Sequence, residues 1–306
     1  MGEGSGYGKV ILFNEHFVIY QVPSIVSAID KATTATVERS SGKGWTLEDN
    51  RPATPGYKGE KLAQQKDSVD RVLKAAGVNP AETPIKITLG GDLIAASGIG
   101  ASAASCVAIA RALSDEFGLH FSDEMVNEIA YEGERAYHGT PSGVDNTAAT
   151  YGGLLWFVRG KPIERIKIKR PVEVVMGNTG LVANTEAAVA GVRERKQKYP
   201  EKYEKIFKEA GELAYIAKKA LLDYDLGAVG KLMDENHRQL QAIGVSCKEL
   251  DFLVGLARSN GAYGAKTTGG GLGGNMVALT PGKDLQDRVA RAIKKEGFEI
   301  LMTRIG

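Results

Sequence analysis

Residues Gly269-Gly270-Gly271-Leu272-Gly273-Gly274 place five glycines in six positions, just before the apolar run Met276 to Leu279. Backbone this bare loses more conformational freedom on folding than any other. Such a run persists where the chain turns tightly or comes very close to something else. Two more glycine clusters follow the same logic, at Gly98–Gly100 and Gly139–Gly143. A fold for this chain must use three special backbone sites, each next to a regular element. For the last cluster the alternative is a plain hairpin loop, which rarely needs five glycines.

Hydrophobic periodicity supplies the elements around these sites. Lys9 to Phe13 reads as a strand, residues 25 to 38 as a second extended stretch, and 40 to 60 as loop. Leu62, Val69, Val72 and Leu73 mark a helix, and Ile85 to Leu89 alternates as a half-buried strand does. Cys106, Ile109, Ala110 and Leu113 form the stripe of a helix from about Ser102 to Glu116, which stops at Gly118. Ser122 followed by Asp123 and Glu124 starts another helix, ending near Tyr137. Leu154 to Val158 is a buried strand. The second half reads as a strand at Val172 to Met176, helices at about 184–198, 201–222, 226–241, 248–260 and 284–295, and strands at 276–279 and 299–302. The class is α+β, with a boundary that divides the chain into residues 1–170 and 171–306.

Charge and cysteine usage exclude several functions. Lysine and arginine total 39 against 37 acidic residues, a net charge of +2. That gives no electrostatic footprint for nucleic acid or an anionic membrane. Cys106 and Cys247 form no metal-ligand or disulfide pattern. There is no signal-peptide pattern and no apolar run of membrane-spanning length, so a cytoplasmic location is expected.

Four clusters carry chemistry. Between a strand and a helix, Ala96 to Ala104 offers glycine-lined backbone N–H groups and a helix N-terminus, a suitable seat for phosphate. Ser102 falls in the helix's first turn, where a hydroxyl can reach a phosphate-bound Mg²⁺. A capped strand-to-helix turn fits this segment equally well, and it is not a Walker A loop. Glu134 precedes Gly139-Thr140-Pro141-Ser142-Gly143-Val144-Asp145, in which a turn delivers Asp145. One carboxylate can hold a metal while the other orients or deprotonates a hydroxyl, the two tasks of phosphoryl transfer. Solvated acids on a helix and a turn would look the same. Gly264 to Gly274 is the third cluster. Lys9 with Glu15-His16 is the fourth: a lysine beside an aspartate stabilises the carboxylate, and a histidine can donate to an anionic substrate. His120, His138 and His237 show no metal-ligand spacing and receive no role.

Taken together, and in this order, the clusters resemble the motifs of the GHMP small-molecule kinase superfamily. Gly8 to Val18 resembles its first motif, Gly98 to Ala104 its second and Lys266 to Gly274 its third. Glu132-Gly133-Glu134 followed by His138 to Asn146 and Tyr151-Gly152-Gly153 is the most specific match, and Asn184-Thr185 leading to Arg193 resembles a substrate-side helix. The branch that phosphorylates mevalonate is similar over nearly the whole chain.

The resemblance implies an N-terminal ribosomal-S5-like, nucleotide-binding domain and a C-terminal ferredoxin-like domain with the active site between them. It implies ATP and Mg²⁺ as cofactors and mevalonate as acceptor, with Asp145 and Lys9 catalytic and Ser102 and Glu134 as metal ligands. Gly98, Ile99, Gly100, Ala101, Ser102 and Ala103 would wrap the nucleotide phosphates. Glu15, His16, Thr185, Asp145, Gly269 and Gly270 would face the substrate. A homodimer is common in that family. Alternatives are phosphomevalonate or another small alcohol as acceptor, or a catalytically silent metabolite sensor. Asn14 stands where the family usually has Gly, Gln21 where a turn Gly is common, Ala101 in place of the first Ser of a Ser-Ser pair, and Leu272 inside the third glycine run.

Overall fold

The computed structural model describes residues 1–306 except Ser97, Val182 and Asn184. The readings that fall on Ser97 and Asn184 therefore lie outside the described residues. Two long strands begin the chain, β1 (Gly2–Phe13) and β2 (Ser24–Arg39), joined through one 3-10 turn (Phe17–Tyr20). Packing divides the chain into two compact units. One comprises Met1–Lys9 and Ala28–Gly152, the other Val10–Ser27 and Gly153–Gly306. The main division thus falls at Gly152, and the segment around Glu15 and His16 belongs to the second unit.

The first unit continues through β3 (Trp45–Asp49), α1 (Tyr57–Glu60), α2 (Leu62–Ala75), β4 (Ile85–Gly91), α3 (Ala101–Phe117), α4 (Asp123–His138) and α5 (Val144–Tyr151). Thr33 to Arg39 of β2 pair antiparallel with β4, and β3 runs parallel to β4 on its other side. Ile85, Ile87 and Leu89 point into a core shared with Val72 and Leu73 of α2, Cys106, Ile109 and Leu113 of α3, and Val126 and Ile129 of α4. The helix ends follow local chemistry. Ser122 accepts the Met125 N–H at the start of α4, and Gly118 closes α3 in the left-handed region (φ 64°).

Two expectations are corrected here. Residues 40–60 are not all loop. Trp45 and Leu47 alternate with polar neighbours to make the short β3, and α1 is a single turn. Both were hidden by the Ser, Gly and Pro around them. The Gly139–Gly143 turn that delivers Asp145 leads into a helix the sequence reading lacked, α5, which starts after Gly143 (φ 87°), carries Asp145 in its first turn and buries Val144, Thr147 and Ala148.

The second unit holds β5 (Leu154–Phe157), β6 (Glu164–Ile166), β7 (Val172–Asn178), α6 (Thr185–Lys198), α7 (Pro200–Leu222), α8 (Leu226–Ala242), α9 (Lys248–Ser259), β8 (Gly264–Thr268), β9 (Asn275–Leu279), α10 (Lys283–Lys295) and β10 (Glu299–Ile305). Strands run in the order β10-β7-β9-β8, all neighbours antiparallel. Leu253 and Val254 of α9 and Val289 and Ile293 of α10 pack on Val175, Met276 and Ala278. Phe17 joins Val192, Tyr203, Phe207 and Leu240 in a separate core among α6, α7 and α8. β8 corrects a third expectation: Gly264 to Thr268 is a buried strand, and the glycine loop begins only at Gly269. Among the described residues no helix is long and apolar enough to cross a membrane.

Candidate active site

Within the first unit, β1 delivers Lys9, and α3, α4 and α5 converge on it. Lys9 Nζ lies 3.2 Å from Asp145 Oδ1 and 3.3 Å from the carbonyl oxygen of Gly98. Its ammonium is buried, so the charge is compensated by Asp145 rather than by water. The loop before α3 is held against this lysine. Lys9 N–H donates to Ile99 O at 2.9 Å. Gly100, the residue before α3, has φ 76°, and a Cβ there would stand 2.8 Å from Lys9 Cγ. Both the turn and the close approach therefore require glycine. Ala101, Ser102 and Ala103 form the first turn of α3.

Glu134 faces the same point from α4 and is only 1% exposed. Burial, and then the charge of Asp145, push its carboxyl up to about 8, against a Ser102 hydrogen bond and the charge of Lys9. Among the described residues its Oε1 has no hydrogen-bond partner. One turn later, His138 Nε2 lies 3.7 Å from Glu134 Oε2. Ligand-capable atoms of Glu134, His138 and Asp145 all fall within 4.8 Å of one another. Burial lowers the His138 pKa, which favours the neutral ring. His138, given no role from spacing, thus joins the cluster; the Glu-x-x-x-His pattern on one helix face was the available signal. A buried carboxyl with an orphaned oxygen, a second carboxylate and a hydroxyl is a donor set suited to a hard divalent cation. A cation there would favour the ionised carboxylate that burial, and then the charge of Asp145, disfavour.

Beside Ser102 the unit carries a polar hollow that sequence reading missed, since it belongs to the supposed loop. Arg51, 6% exposed, donates to Asp49, to the Ala101 carbonyl at 3.2 Å and to the Ser105 hydroxyl at 2.5 Å. Burial opposes ionisation of Asp49, but the hydrogen bonds and charge of Arg51 outweigh it and hold that carboxyl at about 2. Tyr57, Lys58, Lys61, Gln65 and Tyr137 complete the lining.

The second unit holds the remaining expected residues. Glu15 and Lys266 form a fully buried ion pair. The Lys266 ammonium also donates to the Thr267 carbonyl at 2.6 Å. His16 Nε2 donates to the Gly270 carbonyl at 3.0 Å, and burial lowers the His16 pKa to about 4. Thr185 begins α6, and its hydroxyl is where a Cβ on Gly270 would fall. A Cβ on Gly271 would run into the Val245 carbonyl. The glycines of this loop are thus also demanded by contacts within the protein, a cause that composition alone does not reveal. Gly269 starts the loop in the left-handed region (φ 83°).

Lys9, Ser102, Glu134 and Asp145 are therefore brought together in one unit, and Glu15, His16, Thr185 and Gly270 in the other. Two family models match the chain. Residues 64–153 match the GHMP kinases N terminal domain, and residues 217–299 match GHMP kinases C terminal. The mevalonate kinase of Pyrococcus abyssi is 34% identical, over 98% of this chain and 94% of that one.

The chain belongs to the GHMP kinase family.

It is accordingly a phosphotransferase. Among solved GHMP kinases, the L. major mevalonate kinase in complex with R-mevalonate superposes with a TM-score of 0.95 and 38% identity, covering 100% of this chain and 96% of that one. The Methanococcus jannaschii mevalonate kinase, with TM-score 0.83 and 24% identity over 99% and 98% of the two chains, shares the fold.

Proposed function

We propose that this GHMP kinase transfers the γ-phosphoryl group of ATP to the C5 hydroxyl of (R)-mevalonate, giving 5-phosphomevalonate. The observation that carries the reading is the pairing of buried Lys9 with the partly exposed Asp145, set beside the orphaned Glu134 oxygen. Its acceptor rests on the mevalonate kinases that the chain resembles over almost its full length.

Asp145 orients the acceptor hydroxyl and takes its proton as the phosphoryl group leaves ATP. Lys9, paired with Asp145, balances the charge that develops on the hydroxyl oxygen. The N–H groups at Gly98, Ile99, Gly100 and Ala101 and the N-terminal end of α3 receive the phosphates, with Ala103 and Ser102 in the same turn. Lys58, Lys61 and Tyr137 lie beside that turn. Ser102 and Glu134 would hold Mg²⁺, which neutralises phosphate charge when bound. Glu15, His16, Thr185, Gly269 and Gly270 serve the acceptor. No phosphoenzyme is required. The reaction would be a cytoplasmic step toward isoprenoids.

ADP release from MgATP, measured with mevalonate, phosphomevalonate, galactose and homoserine in parallel, tests the proposal. Turnover with mevalonate alone is expected. Turnover with any other acceptor alone would overturn the substrate assignment, and binding of nucleotide without turnover on any alcohol would point to a sensor.

A further inference from the structure

One helix supports both partners of the buried Glu15–Lys266 pair. α8 lies along β8, with Gly230 against the Tyr263 carbonyl, where a Cβ could not fit. That closeness lets side chains further along the helix reach strand backbone. Asp234 Oδ1 accepts the Ala265 N–H at 2.9 Å, and His237 Nδ1 accepts the Thr267 N–H at 3.3 Å. Positions 230, 234 and 237 lie at i, i+4 and i+7, on one helix face. The donors on either side of Lys266 are thus both fixed by α8.

The neighbouring Asn236 secures the other partner. Asn14, at φ 71°, is completely buried. Its backbone N–H donates to Asn236 Oδ1 at 3.1 Å, and its Oδ1 accepts from Asn236 Nδ2 at 2.8 Å. Asn14 Nδ2 donates to the carbonyls of Pro23 at 2.7 Å and Ala210 at 2.9 Å. The side chain therefore turns inward, and every polar atom of it is satisfied. Because Glu15 and His16 come directly after it, the carboxamide pair sets where they emerge.

We propose that Asn236 and His237 are positioning residues for the acceptor alcohol, acting through the Asn14–His16 turn and through Lys266. The inference rests on the reading of Glu15 and His16 as acceptor-side groups. A side chain that shifts such groups by about 1 Å can cost on the order of 100-fold in turnover efficiency. A merely structural role would lower stability and leave the kinetic constants alone.

The test uses the full chain with MgATP and mevalonate. Asn236→Asp keeps the shape but cannot donate to Asn14, and His237→Leu removes the acceptor for Thr267. Each should raise the mevalonate KM about tenfold while the ATP KM stays within about twofold. His237→Asn, whose carbonyl can stand in for Nδ1, should restore the mevalonate KM to near the wild-type value. Asn14→Gly removes the same carboxamide contact from the turn side, for use if Asn236→Asp does not fold. Unchanged KM values with only a lowered Tm would overturn the proposal, as would equal rises for both substrates. The His16 imidazole resonances give a readout that needs no acceptor. In Asn236→Asp the His16 titration should move up from about 4 toward its ordinary value of 6.5, and an unmoved curve would refute the role. If the wild type ignores mevalonate, the acceptor assignment falls while the resonance readout still decides the positioning claim.

Discussion

Asp145 is the residue on which turnover should depend most. Asp145→Ala removes the proton acceptor and Lys9's partner together; kcat should fall about 10³-fold with nucleotide affinity largely kept, as titration calorimetry would show. Lys9→Met should also fall steeply, because the aspartate loses its compensating charge. Acid should act elsewhere. His16 and His237 are both held near 4 by burial, against an ordinary value of 6.5. Between those values the unfolded chain binds protons that the folded chain refuses, so stability must decline as pH falls from 6.5 toward 4. For His16 the loss is on the order of 3 kcal/mol; His16→Gln should flatten that part of the curve in urea titrations at successive pH values. Lys9, Ser102, Glu134 and Asp145 stood out in the sequence, but each segment alone also fitted a bland reading, and only the resemblance of the clusters taken in order gave them roles. His138, Arg51 and Asn236 did not stand out. Arg51 and Asn236 depend on partners 54 and 222 positions away in sequence, Ser105 and Asn14, while His138 had only its i, i+4 spacing from Glu134 to signal it.

At the scale of elements, the long helices and central strands came directly from periodicity. Misreadings concentrated where local signal is weak or contradictory. β3 has only two apolar residues, α1 is one turn, and α5 hides behind Pro141 and Gly143. β8 was masked by the glycines on its far side, although its own alternating backbone bonds go to α8 and β9. The contact between α8 and β8 is narrow enough to give a direct test. In Gly230→Ala the new methyl meets the Tyr263 carbonyl, so the gain in helix propensity should be outweighed by overpacking costing about 2 kcal/mol. A thermal melt should show a lower Tm. A rise would mean the helix has room that the geometry denies.

For the molecule as a whole, the two units differ in what they contribute: one gathers Lys9, Ser102, Glu134 and Asp145, the other Glu15, His16 and Thr185. Ligands that bind the folded chain alone must stabilise it. Nucleotide at about 100 times its Kd should add about 2.7 kcal/mol, read as a Tm shift by scanning fluorimetry. Chelation of divalent cations should abolish turnover and shrink that shift. It should leave the unliganded Tm unchanged, since no described core contact needs a cation.

β8 is the last strand of its run, and an outermost strand ordinarily offers its unused N–H groups to any chain that can lie alongside. Here Asp234 and His237 already occupy the donors of Ala265 and Thr267. That border is therefore shut to strand addition, and copies of this protein that meet at high concentration must do so through other surfaces. Conditions that loosen α8 would reopen it, so aggregation should begin with the peeling of one helix rather than with global unfolding.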